Sequence, residues 1–81
     1  MQLGTRWPFG GEPPARLPGD FVAVLAGAEE QLRSSGVAGG SWTLTWLEGR
    51  PIAELDAEAA DGFPTVTVDP ATGAPHLTFE Q

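Results

Sequence analysis

At 81 residues, 41% of them hydrophobic and including three Trp and four Phe, the chain can enclose one small core and is read as a single domain, residues 1–81. Four Arg, no Lys and eleven acidic residues give a net charge of -7, which repels a phosphate backbone and an anionic bilayer, so neither nucleic acid nor membrane is an expected partner. Cysteine, lysine and tyrosine are absent, which excludes disulfides, thiolate ligands, Schiff bases and phenolic acid catalysis.

The first residues carry neither the basic start nor the apolar stretch of a secretion signal, and no run approaches the ~20 apolar residues of a membrane-spanning helix. A cytoplasmic protein is the expectation, and the Arg-, Ala-, Gly- and Pro-rich usage points to a GC-rich bacterial genome. Gln2 to Trp7 alternates like a short strand, with Leu3, Thr5 and Trp7 on one side, and Pro8 is expected to end it. From about 8 to 19 the chain is rich in proline and glycine without apolar periodicity, which predicts a loop, either packed through Phe9 and Leu17 or mobile.

Asp20 stands where a helix N-cap belongs, followed at helical spacing by Phe21, Val24, Leu25, Ala28 and Leu32. Ser34, Ser35 and Gly36 stop that helix, Glu29 and Arg33 are spaced to pair on its surface, and Gly27 weakens its middle. Ser41 to Glu48 is the clearest strand, with Trp42, Leu44 and Trp46 alternating against Thr43 and Thr45. A two-residue turn at Gly49 and Arg50 would set Trp46 against Ala53, Leu44 against Leu55 and Trp42 against Ala57. On the other side Thr45 would face Glu54, Thr43 Asp56, and Leu47 Ile52. The last hairpin runs from Thr65 to Asp69, turns through Pro70 to Gly73 and returns over His76 to Glu80, with Val66 opposite Leu77, Thr67 opposite His76 and Thr65 opposite Thr78.

The expected fold class is therefore α+β, two layers, with one helix packed on an antiparallel sheet of four to five strands in the order β-α-β-β-β-β. The place of the first strand in the sheet stays open, and no internal repeat is evident.

Chemistry is sparse. The one histidine, His76, lies on a strand face of Thr and Glu, and no strained Gly-x-Ser-x-Gly turn presents a nucleophile to it, so it reads as an exposed strand residue and no catalytic constellation is expected. Asp56, Glu58 and Asp61, with Glu54 just before them, form the densest carboxylate cluster. Such a set can converge on a hard cation, although its spacing fits no calcium loop and an acidic hairpin end is the plainer reading. The glycines match no phosphate-binding loop, and no cofactor is implied.

The aromatic residues are more informative. Trp42 and Trp46 fit burial, whereas Trp7 and Phe9 flank a proline at a loop edge, where rigid aromatics serve as interface anchors. Leu47 and Ile52 would form an apolar pair on the polar side of the sheet. Trp7, Phe9, Leu47 and Ile52 make up the candidate partner-binding set. The expectation is a small bacterial protein that acts by binding a protein partner, as an accessory or regulatory module or as a homodimer. The alternatives are a carboxylate-based metal or small-ligand binding protein and an acidic inhibitor that mimics nucleic acid.

Overall fold

Each alternating segment forms a strand and the periodic segment forms the helix. In the computed structural model, which describes residues 5–81, the elements are β1 (Thr5–Pro8), α1 (Gly19–Ser34), β2 (Ser41–Leu47), β3 (Arg50–Leu55), β4 (Phe63–Val68) and β5 (Pro75–Glu80). They build one antiparallel sheet in spatial order β1-β2-β3-β4-β5 with the helix on one face, an α+β fold. The first strand takes the edge beside β2; Gln2, Leu3 and Gly4 of its expected span lie outside the described residues.

Pro8 does not end β1 from outside but is its last residue, opposite Ser41. The Phe9 N–H donates to the Gly40 carbonyl at 3.0 Å, so the bonded positions step back through Trp7 and Thr5 while Pro8 points its missing N–H away from the sheet, where it costs nothing.

The helix begins one residue before Asp20, with Pro18 at the N-cap position, and no side chain caps it. The Val22 N–H donates to the Pro18 carbonyl at 3.0 Å, while the Asp20 carboxylate accepts the adjacent Phe21 N–H at 2.9 Å. The expected C-terminal stop is present: Gly36 takes φ +99°, and the Gly36 and Val37 N–H groups donate to the carbonyls of Arg33 and Leu32 at 3.1 and 2.9 Å.

The first hairpin differs in register from the sequence expectation. Its turn is Glu48-Gly49, with φ +53° and +80°, and not Gly49-Arg50. Trp46 consequently faces Pro51, Leu44 faces Ala53 and Trp42 faces Leu55, while Thr45 faces Ile52, Thr43 faces Glu54 and Leu47 faces Arg50. Two consecutive positive φ values make the turn whose twist matches a hairpin, and that gain outweighs the cost of placing a glutamate in the left-handed region. Because the slip is of two residues, every side chain keeps its face. The second hairpin has the expected pairs Val66–Leu77, Thr67–His76 and Thr65–Thr78, with the Asp69 carboxylate accepting the Ala71 N–H at 2.8 Å and Gly73 at φ +78°.

The helix backbone approaches β5 and β4 most closely. A five-stranded sheet is about 19 Å wide and a helix about 10 Å across, so one helix cannot cover it. Trp7, Trp42 and the half-buried Trp46 fill the wedge above β1 and β2, and the proline-rich segment closes it with Leu17 and Phe9. That segment is thus a second cover of the core. The Glu29 carboxylate fastens it by accepting both the Trp42 indole N–H at 2.8 Å and the Gly10 N–H at 2.9 Å. Glu29 is therefore not paired with Arg33 as its spacing suggested; Arg33 meets Glu30 at 3.3 Å instead and lies over the Phe9 ring, 5.4 Å from its centroid.

Candidate interaction surface

The strand alternation that sends Trp7, Trp42, Leu44, Ala53, Leu55 and Val66 into the core sends a different set outward. Arg6, Thr43, Glu54, Thr65 and Thr78 form one row across all five strands. Beside it lie the pairs Thr45–Ile52 and Thr67–His76, and beyond those Leu47–Arg50. The helix and the proline-rich segment both sit on the opposite face, so among the described residues no element covers this one. Its threonines still pack tightly: Thr65 is only 5% exposed, with its hydroxyl 3.4 Å from the Phe63 carbonyl, and the Thr78 hydroxyl donates to the Thr65 carbonyl at 3.4 Å.

The candidate partner-binding residues separate into two places. Trp7 is 6% exposed in the core, and Phe9 is half-buried beneath Arg33. Leu47, 55% exposed, and the half-buried Ile52 are on the outer face. They are diagonal neighbours and not an opposed pair, because the turn sits one residue earlier than expected. Phe63, 41% exposed at the start of β4, is a third apolar side chain on that face.

The candidate metal ligands are likewise dispersed in their roles. Asp56 is occupied twice: one carboxylate oxygen meets Arg6 at 2.9 Å and the other accepts the Ser41 N–H at 2.7 Å. Glu58 is exposed, and Asp61 sits in the bend between Ala59 and Gly62, its carbonyl accepting from the Gln81 side chain at 2.9 Å. Among the described residues no group of three or more His, Asp or Glu side chains is gathered as a metal site requires. Asp56 acts here as a latch holding β1 and β2 to the end of β3. Asp56→Ala is expected to cost about 1 kcal/mol, most of it from the bond to the Ser41 N–H, since exposed ion pairs contribute little. Urea unfolding measures this, and an unchanged midpoint would remove the latch.

All four arginines are engaged among the described residues. Arg6 pairs with Asp56, Arg33 with Glu30 and Arg50 with Glu48 at 3.3 Å, while Arg16 lies over the Trp46 ring, 5.7 Å from its centroid. The carboxylates of Glu12, Glu54, Glu58, Asp61 and Glu80 have no such counterion among the described residues, so the net negative charge is turned to solvent.

No family model, curated protein or solved structure matches the chain. The surface itself has to carry the functional reading. No helix among the described residues is long and apolar enough to cross a membrane. Two features escaped the sequence reading. Glu29 looked like a helix-surface charge, and only the meeting of the loop and β2 over the helix makes it an acceptor for both. The threonine rows were visible as T-x-T in β2 and β4, but their alignment across the sheet depends on register.

Proposed function

We propose that this protein works in the cytoplasm by binding another protein through the outer face of its sheet, centred on Ile52, Leu47 and Thr45. The observation that supports this most is that one whole face of a five-stranded sheet lies outside both covering elements and carries apolar side chains among hydroxyls. A surface of this kind suits a partner that brings its own apolar anchor and donors for the threonine hydroxyls. With Glu54 in the central row and Glu80 at its margin, a basic surface is the electrostatic complement, and such binding weakens as salt is added.

A photo-crosslinking amino acid at Thr45, compared with one at exposed Glu12, tests the placement in the native host. A discrete heterologous adduct is expected from position 45 alone, lost on Ile52→Asp. Adducts from position 12 only, or none from position 45, would refute it.

A further inference from the structure

The two edges of the sheet are not alike. At the β1 edge, the bond from the Phe9 N–H to Gly40 fixes which residues face β2, and the outward positions are Arg6 and Pro8. Since proline has no N–H, that edge offers another strand a single donor from within β1. At the β5 edge, the Asp69 N–H donates to the Ala74 carbonyl at 2.9 Å, so the bonded positions toward β4 are, in steps of two, His76, Thr78 and Glu80. The outward N–H and C=O groups of β5 therefore belong to Leu77 and Phe79, between an outward Pro75 and Gln81. Among the described residues no bulge or covering segment blunts this edge, no lysine lies on it, and its inner residues, His76 to Phe79, include neither Asp nor Glu.

We infer that β5 pairs antiparallel with β5 of a second copy of this chain, joining two five-stranded sheets into one of ten strands. This rests on the sheet edge and not on the proposed role of the outer face. One register satisfies the outward N–H groups of both Leu77 and Phe79 and also pairs the residues beside them. With Thr78 opposite Thr78 at the two-fold axis, Leu77 and Phe79 of each copy become a bonded pair that exchanges both outward N–H groups, and their side chains meet on the core side. On the outer side His76 of one copy then stands opposite Glu80 of the other, at a non-bonded position where side chains approach closely. The neighbouring registers of the same facing lose this. One sets Phe79 against Pro75, which has no N–H to return; the other sets Thr78 against Glu80 and so takes Glu80 away from His76.

Within its own chain His76 is faced from β4 by Thr67, with Thr65 and Asp69 diagonal to it, so no carboxylate stands directly across from it. The two-fold axis brings both helices to the same side, where the exposed middle of α1 is Ala23, Ala26 and Gly27 and nothing lies within 4 Å of a Cβ placed at Gly27. None of these three side chains is large enough to hold the copies apart.

The contact is small and joins two chains of net charge -7, which places it at the weak end of specific association, with half-dimerisation at about 100 µM. Sedimentation equilibrium of the untagged full chain up to about 1 mM reads it. The expected result is a monomer–dimer equilibrium that His76→Glu weakens about tenfold, by opposing like charges twice per dimer, and that adding Glu80→Lys to His76→Glu restores. Both positions are exposed, and circular dichroism verifies that the variants fold. Ile52→Asp, which would abolish partner binding on the outer face, leaves this dimer unchanged. A wild-type chain that stays monomeric at the highest concentration overturns the inference, as does a dimer indifferent to His76→Glu or dissolved by Ile52→Asp.

Discussion

Alanine at Trp42 is expected to leave much of the chain unfolded. The side chain is fully buried, and truncating an aromatic of this size costs about 3–5 kcal/mol, against a total stability that for a domain this small lies near the lower end of the usual ~5–15 kcal/mol. The loss has two parts, because the indole is both filling and fastener. Its ring occupies the wedge that the helix leaves above β1 and β2, and its N–H holds the Glu29 carboxylate that also receives the Gly10 N–H. Trp42→Phe separates them: it retains most of the apolar volume, removes the donor, and is expected to cost about 1–2 kcal/mol. Urea titration followed by far-ultraviolet circular dichroism gives both values. If Trp42→Ala cost less than the phenylalanine variant is expected to, the side chain would not be the centre of this core.

A second large loss is expected from the smallest change, Gly62→Ala. Gly62 holds φ +126°, and a Cβ built there would lie 2.5 Å from the Glu80 carbonyl oxygen and 3.0 Å from its carbon. Both atoms are backbone, so no side chain can swing aside. The residue also exchanges two hydrogen bonds with Ala59, at 2.8 and 3.1 Å, and leads directly into β4 opposite the end of β5. Strain and clash together are expected to cost about 2–4 kcal/mol. Gly27→Ala is the internal contrast. It lies in the middle of α1 with no atom within 4 Å of its added methyl, and the better helix former should stabilise by about 0.8–1 kcal/mol. Equal midpoints for the two variants would contradict the geometry at both sites.

Most of the architecture was legible because it depends on periodicity, and periodicity survives local mistakes. The Trp42–Leu44–Trp46 alternation assigned the buried face correctly even though the turn was placed one residue late, since the resulting two-residue slip restores the phase. What was lost is pairing detail, and with it the expected opposition of Leu47 and Ile52. The cause is Glu48, a residue type that sequence rules do not place at positive φ. The proline-rich segment was legible only in part: packing through Phe9 and Leu17 was one of its two expected states and is the one found, but what holds it there was not visible. Its packing is decided by Glu29, Arg33 and Trp46, which are distant in sequence, and nothing local to Phe9 or Arg16 announces them. Trp7 shows the same limit: its neighbours in sequence suggested a loop edge, while its neighbours in space are the core. Of the candidate surface, Leu47 and Ile52 were identified from the strand phase alone. The edge asymmetry between β1 and β5 required knowing which carbonyl each terminal amide meets.

The order of the strands has a consequence for how the chain assembles in time. The strands β2 to β5 form a meander whose pairings close across short connections, whereas β1 meets β2 only after the whole proline-rich segment and α1 have been placed between them. Long-range closure must lose loop entropy before any contact offsets it, so the meander is the part that forms early and β1 the part that docks late. Late docking by four residues with a proline at one end also means early release. The β1 amides should exchange with solvent through a partial opening in which β2 becomes an edge, well below the free energy that unfolds the meander.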